Sequence, residues 1–273
     1  MKGAYPTETV FDGALLRARL TRPRGGASTL YVTFRQRLDE PGSFSEDPPV
    51  RQALGRGMAH LHLQSRWNDW YLNPETTALE AALRPLRAAF TAARAVGYSM
   101  GGYAALRLAA ALDLTQALVI SPQFTLDRRL IPEERRYREA AGYDSTLGDL
   151  ARHGKPDLRG VVVFDPSHPL DPIHARLITR TLPGMRPAPL MFGGHPATQG
   201  IRAGGGFRSF QSLGLDGDLS ARSIVGLHRQ LRAQSSRYWH FRAKACLARG
   251  KTVQAELAVV RTEALSALEA SSD

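Results

Sequence analysis

The sequence predicts an α/β protein built on a mainly parallel β-sheet flanked by helices. Three observations carry that expectation. Short apolar runs rich in β-branched residues alternate with helical patterns along most of the chain, as strands joined by crossover helices require. A length of 273 residues suits one large domain with a small appendage. Composition is ordinary for a globular chain, with 43% hydrophobic and 22% charged residues, which sets aside disordered, collagen-like and coiled-coil readings.

Strands are expected at 14–20, 29–34, 59–64, 93–98, 117–120, 160–164 and 188–192. A turn-rich segment, 21–28, separates the first two, so they read as an antiparallel hairpin at the sheet edge. Helical periodicity is clearest at 75–92, 101–111, 172–182 and 220–234. Asn73 before Pro74 offers an N-cap with proline at the first helical position, and Asp171-Pro172 repeats the device. Residues 122–159 break the alternation with a polar, arginine-rich insertion, and so long a connection is expected to cover a site as a cap. A glycine-rich stretch, 196–217, follows the last strand.

The expected division is a domain at 1–235 and a C-terminal helical hairpin at 236–273. In the tail, Tyr238-Trp239, Ala243, Leu247, Gly250, Ala255 and Ala258 resemble one helix–turn–helix of a tetratricopeptide repeat. A lone repeat cannot bury its own core, so a hairpin packed on the domain is the expected form, open to a protein partner.

Lysine and arginine total 36 against 25 acids, a net charge of +11, and only Lys2, Lys155, Lys244 and Lys251 are lysines. The arginines are scattered beside acids, as in Asp127-Arg128-Arg129 and Glu133-Glu134-Arg135-Arg136, which suits a solvated surface. No nucleic-acid motif accompanies them, so a specific nucleic-acid partner is not expected. No run approaches the ~18 apolar residues of a membrane span. The opening MKGAYPTETVFDG lacks the apolar stretch of a secretory signal. The single cysteine, Cys246, excludes an internal disulfide and a multi-thiolate metal site. A cytoplasmic protein is expected.

The chemistry lies at the end of strand 93–98, which runs into Gly97-Tyr98-Ser99-Met100-Gly101-Gly102 as a helical pattern begins. In G-x-S-x-G at a strand-to-helix junction, the serine occupies a sharp strained turn that tolerates only small neighbours two residues before and after. Its hydroxyl is lifted above the sheet, where the helix dipole and the Met100 amide face a developing oxyanion. No phosphate-binding or dinucleotide-binding glycine motif is present.

A serine needs a base, oriented by an acid, and this architecture orders them Ser, acid, His along the chain. His195, presented by Gly193-Gly194 just past the last strand, is the expected base; His168 and His174 are its competitors. Asp165 ends strand 160–164 at the edge where such sites form and is the first choice of acid. Asp171 is the alternative, although a helix N-cap would also explain it.

The elbow, the loop acid and Gly194-His195-Pro196 resemble the α/β-hydrolase superfamily over residues 10–235. The resemblance implies a serine hydrolase that cleaves an ester or thioester through an acyl-enzyme on Ser99, without metal or organic cofactor. Its substrate would be a small-molecule or saccharide ester. The alternatives are an acyltransferase using the same triad, or a non-catalytic binding protein on the same scaffold. The resemblance also implies a second oxyanion amide near Arg35 or Gln36, with Gln36 preferred. Here Phe34-Arg35-Gln36-Arg37 replaces the superfamily's usual His-Gly segment. Asn68-Asp69-Trp70-Tyr71 is similar to segments of bacterial hydrolase-like proteins, some near surface-polysaccharide systems.

Trp67, Trp70 and Tyr71 are candidates for an acyl or sugar platform, or for loop anchors. His60 and His62 share a strand face but lack an identifiable third metal ligand, so a polar strand edge is the expected reading. Arg128, Arg129, Arg135, Arg136 and Arg138 could attract an anionic substrate, but interleaved acids favour surface ion pairs.

Overall fold

In the computed structural model, which describes residues 5–46 and 48–270, eight strands form one sheet. They are β1 (Thr7–Asp12), β2 (Leu16–Thr21), β3 (Thr29–Phe34), β4 (Ala59–Ser65), β5 (Ala92–Tyr98), β6 (Gln116–Ile120), β7 (Arg159–Phe164) and β8 (Met185–Pro189). Their spatial order is β1-β2-β4-β3-β5-β6-β7-β8. The strands from β3 to β8 pair in parallel, whereas β2 runs antiparallel to both β1 and β4.

The expected hairpin between strands 14–20 and 29–34 is therefore overturned. β4 inserts between β2 and β3, with Ala18 opposite Leu63 on one side and Val32 opposite Leu61 on the other. The actual edge hairpin is β1–β2. Strand β1 was not expected, because TETVFD is largely exposed and carries no apolar run. The last strand sits three residues earlier than expected, which leaves Leu190–Phe192 to turn over the sheet edge.

The helices are α1 (Arg51–Gly55), α2 (Thr76–Leu83), α3 (Met100–Arg107), α4 (Leu150–His153), α5 (Asp171–Thr181), α6 (Gln199–Ala203), α7 (Phe207–Leu215), α8 (Ala221–Leu231), α9 (Ser236–Leu247) and α10 (Thr252–Ala270). The helix expected over 75–92 stops at Leu83 and tightens into a 3₁₀ turn across Arg84–Ala89, where Pro85 sits in the first turn.

Strand residues alternate between two cores, so both sheet faces are buried. Ala117 and Val119 of β6 point to the layer of α2, α3 and α5; Leu118 and Ile120 point to that of α1, α7 and α8. The parallel strands then end along one edge, and the loops leaving it carry Ser99, Asp165 and His195. The tail folds as the hairpin α9–α10, turning at Gly250 with φ +67°. Among the described residues no helix is long and apolar enough to cross a membrane.

Candidate active site

The turn at Ser99 is strained: φ is +47° and ψ −118°, backbone space that a side chain other than glycine rarely enters. Close approaches explain the flanking glycines. A Cβ on Gly97 would collide with the Gly101 carbonyl, and one on Gly101 would lie 2.9 Å from the Phe34 carbonyl oxygen. The end of β3 is thus pressed against the first turn of α3. Met100 and Gly101 are buried there, and Ser99 is 6% exposed.

Ser99 Oγ lies 3.2 Å from His195 Nε2, and His195 Nδ1 lies 3.1 Å from both oxygens of Asp171. An ionised carboxylate only accepts hydrogen bonds, so the neutral imidazole carries its proton on Nδ1 and leaves Nε2 to accept from the serine hydroxyl. Burial would raise the Asp171 carboxyl, but hydrogen bonds from His168 and His195 and their nearby charge outweigh it and hold it well below the usual carboxylate range. Arg136 adds a donor 3.1 Å from Asp171 Oδ1.

The structure reverses the preference between the two aspartates. Asp165 does not reach the imidazole. Its Oδ1 accepts from the Ser167 amide (2.8 Å), the Ser167 hydroxyl (2.6 Å) and the Phe192 amide (3.0 Å), and its Oδ2 from the Gly194 amide (2.9 Å). It ties β7 to the loop that carries His195. Nor does Asp171 cap its helix: the N-cap is Leu170, without a side-chain bond, and Asp171 begins α5 with its carboxylate turned to the imidazoles.

Of the two competing bases, His168 sits beside the site, with Nδ1 3.1 Å from Asp171 Oδ1 and its ring centroid 5.5 Å from that of His195. His174 is fully buried elsewhere. Its Nδ1 accepts from the Phe124 amide at 2.9 Å and its Nε2 donates to Glu134 at 2.8 Å, pinning the insertion to α5.

The two candidate oxyanion amides after β3 separate clearly. The Arg35 amide donates to the Leu63 carbonyl at 2.9 Å, continuing the β3–β4 ladder, which leaves that of Gln36. Tyr71 fastens this corner, since its hydroxyl lies 3.0 Å from the carbonyl oxygens of both Arg35 and Leu63.

Tyr71 is accordingly a buried anchor rather than a platform, and Trp70 is 1% exposed. The Trp70 indole donates to Gln123 Oε1 at 3.0 Å and meets the Tyr137 ring edge-on at 4.8 Å. Trp67 is exposed and packs beside Gly42, with no contact to the other two rings. The aromatic trio therefore does not form one open surface.

Two residues of the insertion reach the centre unheralded by any motif. Gln123 Nε2 is 3.4 Å from Ser99 Oγ and 3.2 Å from the Tyr137 hydroxyl, which stands 3.5 Å from His195 Nε2. Burial raises the Tyr137 phenol, opposed by the Arg136 guanidinium 5.2 Å from the ring centroid. The insertion arginines divide: Arg129 pairs with Asp127 at the surface, whereas Arg136 bridges Glu134 and Asp171 inside.

His60 and His62 share one hydroxyl, that of Thr33, at 2.8 Å each. Among the described residues, the group able to offer three ligand atoms to a metal is His168, Asp171 and His195, within 4.8 Å of one another. Arg136 already brings positive charge to that carboxylate.

No protein-family model and no curated protein matches the sequence. Solved structures do. The capsule O-acetyltransferase of Neisseria meningitidis serogroup A superposes with a TM-score of 0.52 at 12% identity, over 73% of this chain and 91% of that one. A serine hydrolase without lid from Xanthomonas campestris gives 0.41 at 16%, over 69% and 85%. Est1E from Butyrivibrio proteoclasticus gives 0.42 at 12%, over 68% and 88%. Strand order, the strained strand-to-helix turn at Ser99 and the likeness to the O-acetyltransferase together identify the chain as having the α/β-hydrolase fold.

Proposed function

We propose that the protein is a serine acyl-transfer enzyme that hydrolyses an ester or thioester through an acyl-enzyme on Ser99. The observation that carries this reading is the hydrogen-bonded relay Ser99–His195–Asp171, set on a strained turn at the N-terminus of α3. The three groups lie 96 and 24 residues apart in sequence, and the fold brings them into one chain of hydrogen bonds.

In the first half-reaction Ser99 Oγ attacks the substrate carbonyl while His195 Nε2 takes its proton. The amides of Met100 and Gln36 hold the oxygen that becomes negative, and the dipole of α3 adds to them. The tetrahedral adduct collapses as His195 returns the proton to the departing alkoxide or thiolate, leaving an ester on Ser99. Water then attacks that ester with the same imidazole as base. The carboxylic acid leaves and the serine is restored. Asp171 holds the tautomer and stabilises the imidazolium through both halves. Its lowered pKa supports this role, because the carboxylate stays ionised as the ring gains charge.

A second reading replaces water by a hydroxyl acceptor. The likeness to a capsule O-acetyltransferase favours it, since that comparison covers 91% of the other chain. Product analysis separates the two: the purified protein is given p-nitrophenyl esters of increasing acyl length, with and without a saccharide acceptor. Hydrolysis at equal rate in both arms supports the hydrolase. Acyl-saccharide formed at the expense of free acid supports the transferase. A folded protein that neither turns over these esters nor reacts with a fluorophosphonate contradicts both.

A further inference from the structure

The helix α10 is apolar on two opposite faces. Ala255 and Ala258 are buried on the side of α10 that packs against α9, whereas Val253, Leu257 and Val260 are 63%, 63% and 61% exposed. At 3.6 residues per turn the exposed set lies on the far side of the helix from the buried alanines. Exposed Ala264 and Ala267 continue it. The spacing 253, 257, 260, 264, 267 alternates four and three, the seam of a two-helix coil.

We infer that this face pairs α10 with α10 of a second copy of the chain, in parallel. The charges beside the seam choose the partner and its direction. Glu256 and Glu263 flank one side, and Gln254 and Arg261 the other, all exposed. In a parallel pair each residue on the first flank meets the residue five places later on the partner's second flank, so Glu256 faces Arg261 twice across the symmetry axis. Antiparallel pairing would set the glutamate flanks against each other. The seam is short, and an isolated helix of two heptads would be marginal, but α10 is already folded against α9, so little chain entropy is lost on pairing. Alanine at 264 and 267 lets the helices approach closely. This inference does not depend on the reading of the active site.

Sedimentation equilibrium of the full chain over a wide concentration range tests it. The expected result is a reversible two-chain particle. Val260→Glu, which places a charge in the seam, weakens it by roughly tenfold or more. Glu256→Arg weakens it by about two- to fivefold, and adding Arg261→Glu restores it. Circular dichroism and thermal melts of each variant report that the domain is folded. A chain that stays monomeric at its highest soluble concentration overturns the inference. So does a dimer indifferent to Val260→Glu, or a double charge exchange that fails to recover what Glu256→Arg lost.

Discussion

Asp171, not Asp165, faces His195: both of its carboxylate oxygens stand 3.1 Å from the imidazole Nδ1, while Asp165 is occupied by the amides of Phe192 and Gly194, just before the histidine. The two aspartates lie six residues apart, one just after β7 and the other at the start of α5, yet one orients the ring and the other orients the loop that carries it. Their substitutions should part accordingly. Asp171→Asn is expected to lower kcat by about 10³- to 10⁴-fold, as loss of the tautomer does in a Ser-His-Asp triad, with a small change in Tm. Asp165→Asn is expected to cost about 1–3 kcal/mol of stability through stranded buried donors, with a smaller loss of turnover. Steady-state kinetics beside thermal melts decide it; the opposite ranking returns the acid role to Asp165.

The loop that presents His195 also depends on a contact across the fold. Gly194 has φ +82°, and the Phe241 ring of α9 occupies the space a Cβ would need. Gly194→Ala is expected to displace the imidazole and lower kcat more than KM. Phe241→Ala in the Gly194→Ala background relieves the collision but not the backbone strain, so recovery is expected to be partial. Full recovery would mean that the ring alone, and not the backbone, sets the loop.

Acid should loosen the insertion before the rest of the chain. Burial raises the Glu134 carboxyl, but the hydrogen bonds and charges of His174 and Arg136 bring it down from 4.5 to about 2. A carboxylate lowered on folding contributes stability above its unfolded value, lost as pH falls toward the folded one. His174 adds to the trend, because burial lowers its folded pKa below 6.5 and the unfolded chain gains a proton there first. Urea midpoints of Glu134→Gln and the parent are expected to differ most above about pH 5 and to converge toward pH 2. A gap independent of pH would contradict the assignment.

Tyr71 offers a test of the corner after β3. Tyr71→Phe removes the donor to the Arg35 and Leu63 carbonyls without changing the ring. A loss of about 1–2 kcal/mol is expected, with a fall in kcat as the Gln36 amide loses its fixed position. An unchanged kcat in a destabilised variant would separate Gln36 from the oxyanion.

Much of this arrangement was legible because it is local. Gly97–Gly102 announces its turn through sterics between neighbouring residues, and the strands from 59 to 164 declare themselves as apolar runs bounded by turns. What was not legible depends on long-range pairing. The segment 21–28 reads as a tight turn, but β4 competes successfully for β2 and draws the apparent hairpin apart. Which of Asp165 and Asp171 meets His195 depends on how Phe192 and Gly194 return over the sheet edge, a relationship between residues some 30 apart. Gln123 and Tyr137 sit in an irregular insertion whose composition resembles solvated surface, so nothing local marks them as neighbours of Ser99.

The central claim is that the Ser99 oxygen is a nucleophile made reactive by His195, and intact-protein mass spectrometry after exposure to a fluorophosphonate tests it most directly. One adduct per chain, mapped to Ser99, absent in Ser99→Ala and slowed by orders of magnitude in a folded His195→Ala, is the predicted result. Labelling at another residue, or at Ser99 with undiminished rate in His195→Ala, would contradict it.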